Sequence, residues 1–223
     1  MVRSKSIIVT SDASGARDAA LQGMLVMIVD VIDMSTTLES ALDAGAYAVL
    51  GASPDLSRAP VEVSPEQRGR EAAILAREAG TGIIIAAEPR VGSEEDRLAR
   101  CQRLIRGVEM EKGLIEAIVT NVGAETPKLV DMNKRVVVAV SDTGGVAYDA
   151  VLTAGGRALI GTVARTYRQK GIEPATTAVK RALHELNDNY SGIAIVAASR
   201  NSMEDVLAAQ FVANMIIQGT SLK

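Results

Sequence analysis

The chain has 223 residues, of which 48% are apolar and only 2% aromatic, and its formal net charge is -3. It is long enough to bury a sizeable core as one large domain or two small ones, and with no tryptophan and one phenylalanine that core must be Ala, Val, Ile, Leu and Met, the mix of helices packed on a parallel sheet. Lysines and arginines are spread without a basic tract or aromatic–basic interleaving, so nucleic acid is not an expected partner.

No apolar run reaches the roughly 18 residues of a membrane span, and the opening "MVRSKSIIVTSD" lacks a signal-peptide core, so no membrane partner is expected either. The one cysteine, Cys101, cannot form an internal disulfide, which fits a reducing cytoplasm. It sits in a polar helical pattern with no histidine nearby and is read as structural rather than nucleophilic. His184, the sole histidine, lies mid-helix and is read as a surface or groove residue rather than a catalyst.

In chain order, strands are expected at Ser6–Thr10, Met24–Val31 and Tyr47–Gly51, with a helix over Ser35–Ala44 between the last two. A helix over Pro65–Ala79 then leads to a strand at Gly82–Ala87 and a helix over Ser93–Arg106. Strands follow at Leu114–Thr120 and Arg135–Val140, then a helix at Gly145–Ala154 and a strand at Ala158–Val163. A helix over Pro174–Leu186, a strand at Gly192–Ala197 and a helix over Ser202–Ile217 close the chain. Strand–helix alternation with short links predicts an α/β fold, layered α/β/α, with a largely parallel or mixed sheet. The runs "MLVMIVDVI" and "RVVVAV" do not alternate, as expected of strands covered on both faces.

Sliding the chain by 110 residues aligns separated places at once. "IVT" at Ile8–Thr10 falls on "IVT" at Ile118–Thr120, and "LDAGAYAVLG" from Leu42 falls on "LTAGGRALIG" from Leu152. "GIIIAAEPRVGSEED" from Gly82 falls on "GIAIVAASRNSMEDV" from Gly192, and Arg58 falls on Arg168. This implies an internal duplication, with one half over residues 1–110 and the other over 111–223, packed as one unit.

Ligands of open α/β sheets bind outside the carboxyl ends of the strands, and four such ends are polar here. They carry Asp30, Asp33, Ser35, Thr36 and Thr37; Glu88, Arg90, Ser93, Glu94 and Glu95; Ser141, Asp142, Thr143, Gly144 and Gly145; and Arg200, Asn201, Ser202, Glu204 and Asp205. Ser35, Ser93 and Ser202 suit helix N-caps, with acids in the first turn complementing the macrodipole. Asp30 is different: it lies inside an apolar run, where a carboxylate needs a cation or several donors. "SDTGG" places amides at a helix start, as an oxyanion loop does. Without a His or Cys cluster zinc is not expected, and carboxylates with hydroxyls suit magnesium.

Three blocks resemble the 2-phosphosulfolactate phosphatase (ComB-like) family: "VDVIDMSTTLESALDAGA", "VVVAVSDTGGVAYDAVLTAGGRALIGT" and "GIAIVAASRNSMEDVLAA". That resemblance implies a shared fold and magnesium-dependent hydrolysis of a phosphate monoester of a small anionic metabolite. It makes Asp30 the family's strand-end aspartate, Glu204 and Asp205 its acidic pair, and Glu88 the glutamate of its Gly-Glu-Arg block. On this reading Asp30, Glu88, Glu204 and Asp205 are the expected metal ligands, with Asp30, Glu204 and Asp205 also serving catalysis. Thr36, Thr37, Thr143, Gly144 and Gly145 would meet the phosphoryl oxygens, and Arg90 or Arg200 would clamp them.

The sequence departs from the family at Asp33, Thr143 and Gly145, where the family has arginine, asparagine and threonine. An anion in place of a cation about 5 Å from a phosphate costs roughly 3 kcal/mol per unit charge at an effective dielectric near 20. The alternative reading is therefore a family member without catalysis that binds a small ligand or serves assembly, and a third is another reaction at the same metal site. The apolar run "DVLAAQFVANMIIQG" implies a homo-oligomer, most simply a dimer.

Overall fold

The computed structural model describes residues 5–221, with side chains to residue 219, so the first four and last two residues of the expected halves lie outside the described residues. The elements in order are β1 (Ser6–Ser11), α1 (Asp12–Leu21), β2 (Leu25–Val29), α2 (Met34–Asp43), β3 (Ala48–Ala52), α3 (Pro65–Ala79) and β4 (Ile83–Ala87). Then come α4 (Glu94–Ala99), α5 (Gln102–Met110), β5 (Ile115–Thr120) and a 3-10 turn at Gly123–Lys128. The chain ends with β6 (Val136–Val140), α6 (Gly144–Thr153), β7 (Arg157–Gly161), α7 (Glu173–Glu185), β8 (Gly192–Ala197) and α8 (Met203–Ser221). No described helix is long and apolar enough to cross a membrane.

The strands form two parallel four-stranded sheets, β1-β8-β2-β7 and β3-β6-β4-β5. Period-two alternation sorts the side chains between layers. Val26 and Ile28 of β2 face a core shared with α1, α2 and α6, whereas Leu25, Met27 and Val29 face Ala178, Ala182, Ala209 and Val212 of α7 and α8. The second sheet is covered on its far side by α3, against which α5 packs, and on its near side by α2 and α6. Each sheet is thus the middle of an α/β/α sandwich, and the two sandwiches share the central helices. That position explains why α2 from Met34 to Ala41 and α6 from Gly144 to Val151 are buried throughout.

The sheet orders carry the duplication. Pairing β1 with β5, β2 with β6, β3 with β7 and β4 with β8 turns the first sheet order into the second read from its other end. Each sheet takes two strands from either half, so the halves interlace rather than forming separate bodies. One equivalence has eroded: the counterpart of α1 is the short 3-10 turn, which carries Pro127.

Two helical details differ from expectation. The helix α1 was not anticipated, because its buried stripe (Ala13, Ala16, Ala19, Ala20) is entirely alanine and gives a faint periodic signal. The helix expected over Ser93–Arg106 is two helices. Ser93 and Asp96 form a reciprocal capping box at the start of α4, as a serine N-cap predicts. The chain then turns at buried Cys101, and the Asp55 carboxylate accepts the Arg103 N–H at 3.1 Å, which caps α5 afresh. That break lets α5 pack tightly on α3: a Cβ at Gly107 would lie 1.9 Å from the Glu66 carbonyl oxygen, and one at Gly69 would lie 2.0 Å from that of Leu104.

Candidate functional site

Asp30 follows directly on β2 and is 2% exposed. Its Oδ1 accepts the Asp33 N–H at 3.0 Å; its Oδ2 accepts the Gly144 N–H at 3.1 Å and the Thr143 hydroxyl at 3.4 Å. One carboxylate therefore joins the positive ends of α2 and α6. Even so, burial, reinforced by repulsion from Asp205 and Asp33, pushes its pKa up to about 7. The anion lying at the Gly144 amide is the protein's own.

The other expected donors are also committed. The Gly145 N–H donates to Ser141 Oγ at 2.9 Å. Buried Thr36 bonds the Val31 carbonyl and lies 2.8 Å from the Thr162 hydroxyl, and buried Thr37 donates to Asn121 Oδ1. Ser35 does not cap α2; Asp33 holds that position, while the Ser35 hydroxyl donates to the Ile28 carbonyl at 2.9 Å and accepts the Asp30 N–H at 3.2 Å. These hydroxyls lie on the inward side of a helix buried between two sheets, so they tie strand ends to helices.

The expected metal ligands do not gather into one set. Among the described residues, no three His, Cys, Asp or Glu side chains are placed together to hold a metal ion. Glu204 and Asp205 are consecutive on α8, and successive helical residues diverge by about 100°. Asp205 takes the buried side and accepts the Val31 N–H at 2.9 Å, whereas Glu204 is exposed. Burial raises the Asp205 pKa, and its bonds to the Val31 amide and the Ser202 hydroxyl oppose that rise. Glu88, half-buried after β4, accepts the Asp142 N–H at 3.2 Å. Burial first, then repulsion from Asp33 and Asp142, pushes its pKa up to about 8.

Of the two expected arginine clamps, Arg90 is tied down. Its Nη2 pairs with Asp33 Oδ1 at 2.8 Å and donates to the Ile32 carbonyl at 3.1 Å, and its Nε donates to the Asn121 carbonyl at 3.3 Å. The Asp33 carboxylate is thus compensated within the chain. Arg200 pairs with Asp12, whose carboxylate also accepts the Arg200 N–H at 2.9 Å. Cys101 is buried and its thiol is pushed up to about 12, which keeps it protonated and inert.

An open cleft of about 430 Å³ lies beyond the carboxyl ends of β1, β6 and β8, with Asp12, Ser14, Arg58, Thr143, Arg200 and Asn201 in its wall. Two helices begin at it, α1 with Asp12 and α6 after Thr143. Its acids are already paired, Asp12 with Arg200 and Asp142 with Arg100. Arg58 has no hydrogen bond or ion pair among the described residues. Thr143, Arg200 and Asn201 were legible as strand-end residues, but Asp12 and Ser14 were not. The signal was a fifth polar strand end, "TSDASG" after β1. Compared with protein-family models, curated proteins and solved structures, the chain matches none of them.

Proposed function

We propose that the chain binds a small anionic metabolite, of phosphate-monoester type, in the cleft between α1 and α6, and does so without turning it over. The observation that carries this reading is the pairing pattern of the cleft. Both wall acids are neutralised by arginines, leaving the Arg58 guanidinium as the uncompensated positive group of the wall. The chain is then a binding relative of the 2-phosphosulfolactate phosphatase type, in which Asp30 is a hydrogen-bonded structural acid. Cytoplasmic residence suits a chain whose lone thiol is buried and unpaired.

A second reading, magnesium-dependent hydrolysis, is favoured by Glu88. A carboxyl with a pKa of about 8 stays protonated at neutral pH, and it adjoins Asp142 at the cleft wall, where it could donate to a leaving oxygen. Magnesium enters as a requirement to be measured. Calorimetric titration with inorganic phosphate and 2-phosphoglycerate, with and without magnesium, separates these readings when run beside a phosphate-release assay. Saturable binding without release, weakened roughly tenfold in Arg58→Ala, supports the binding reading. Magnesium-dependent release moves the assignment to the hydrolase, and binding by neither probe removes both.

Self-association is a further part of this proposal. The outer side of α8 carries Met203, Leu207 and Phe211 at helical spacing, 72%, 62% and 43% exposed. Light scattering that gives the 23.4 kDa mass of one chain at micromolar concentration would reject a dimer.

A further inference from the structure

A second cavity, of about 330 Å³, lies on the opposite kind of feature: between strand edges rather than strand ends. Strands β3 and β7 each end a sheet, and the cavity opens between them. Val49 of β3, Leu75 of α3, Leu152 of α6 and Leu159 of β7 supply apolar walls. Tyr148 of α6 lies at the wall too, its ring seated over Gly51, where a Cβ would come within 2.9 Å of the ring. Gly51 is therefore what lets the phenol occupy this place.

The charged groups lining the cavity are paired. Arg181 makes a bidentate contact with buried Glu39, at 2.6 and 2.8 Å, and donates to the free-edge carbonyl of Ile160 at 3.1 Å. Arg157 pairs with Glu185 at 3.3 Å, and Glu71 with Arg68 at 2.8 Å. The cavity thus offers no uncompensated charge to an ionic ligand. Tyr148 is the exception among its polar groups: its hydroxyl makes no hydrogen bond among the described residues and is not sealed from solvent. Burial pushes this phenol up to about 12, so it remains a proton-bearing donor throughout the physiological range.

We propose that the cavity between β3 and β7 binds a small neutral carbonyl compound with an apolar body, whose oxygen accepts a hydrogen bond from the Tyr148 hydroxyl. The volume sits near the lower end of the roughly 300–1,000 Å³ of small-molecule pockets, which suits a ligand of about a dozen non-hydrogen atoms. Apolar walls with one well-placed donor are the composition of such pockets. The site shares no lining residue with the cleft between α1 and α6, and the inference is independent of what that cleft binds.

The test uses the full chain, 15N-labelled, titrated with 4-phenyl-2-butanone and followed by amide chemical shifts. Saturable shifts clustered on β3, β7, α6 and the facing residues of α3 and α7 are expected. Tyr148→Phe should weaken binding about fivefold, the worth of one neutral hydrogen bond, and Leu75→Arg at the half-buried wall should abolish it. No saturable shift up to the ketone's solubility overturns the proposal, as does an unchanged affinity in Tyr148→Phe. A wild-type dimer that binds no ketone and becomes monomeric in Leu75→Arg also overturns it, in favour of a self-association face.

Discussion

Removing the charge of Asp30 should change how stability depends on pH more than it changes stability itself. The wild-type carboxyl titrates near 3.8 in an unfolded chain and at about 7 when folded, because burial disfavours the carboxylate more than its amide donors favour it. The folded pKa is the higher one, so the folded state binds more protons across this window. The stability this group contributes is complete below about pH 4 and is lost as pH rises through 7. A displacement of about three units is worth about 4 kcal/mol at roughly 1.4 kcal/mol per unit. Urea denaturation from pH 4 to pH 8, in a chelator, should therefore show the wild type losing about 4 kcal/mol relative to Asp30→Asn. The variant's amide NH₂ faces either the Asp33 or the Gly144 N–H, which costs it stability at every pH, so the changing difference is the readout. Raised acids that do not touch Asp30 titrate alike in both proteins and drop out of that difference, whereas Asp205 and Glu88, which repel Asp30, add a smaller share to it. Two parallel curves would refute the reasoning and return Asp30 to an ordinary acidity.

Arg181→Ala strands Glu39, which is 3% exposed, and should cost about 3 kcal/mol in urea denaturation, whereas Glu39→Gln with Arg181→Met should cost under about 1 kcal/mol. Gly107→Ala forces α5 off the Glu66 carbonyl and should destabilise by about 2–3 kcal/mol, read as a lowered Tm; an unchanged Tm would refute the close crossing. A fragment of residues 1–110 keeps only two strands of each sheet, so it should lack the dispersed NMR spectrum of a folded protein until residues 111–223 are added.

The strands were legible because parallel strands covered on both faces are continuous apolar runs, and all eight expected strands are present with ends shifted by a residue or two. The residues at their carboxyl ends were legible as polar, but not in their pairings. Asp33 meets Arg90 and Asp30 meets Gly144 only because β2, β4 and β6 end on the same side of the central helices. No spacing in the sequence states that Thr36 is spent on Val31 and Thr162, or that consecutive Glu204 and Asp205 fall on opposite sides of burial. The buried pair Glu39–Arg181 was hidden for a similar reason: a lone acid in "TTLESAL" reads as a solvated helix face until a second sheet covers it.

The duplication also lets equivalent positions of the two halves be compared. Glu39 and Asp149 stand 110 residues apart, and each buried acid takes an arginine from an outer helix, Arg181 of α7 or Arg68 of α3. There the two halves still solve one problem, tying a central helix across a free sheet edge, in one way. Asp33 and Thr143 are likewise 110 residues apart, each the N-cap of a central helix, and so are Arg90 and Arg200. Here the halves have parted. With a carboxylate at Asp33, Arg90 folds onto it at 2.8 Å and is held by the Ile32 and Asn121 carbonyls as well. With a hydroxyl at Thr143 there is no such partner, and Arg200 turns to Asp12 at the start of α1. Half-exposed ion pairs are worth at most about 1 kcal/mol, so the difference lies less in stability than in where the arginine goes. In one half it covers the strand ends; in the other it joins the wall of an open cleft, and that choice at an N-cap separates a covered end from an open one.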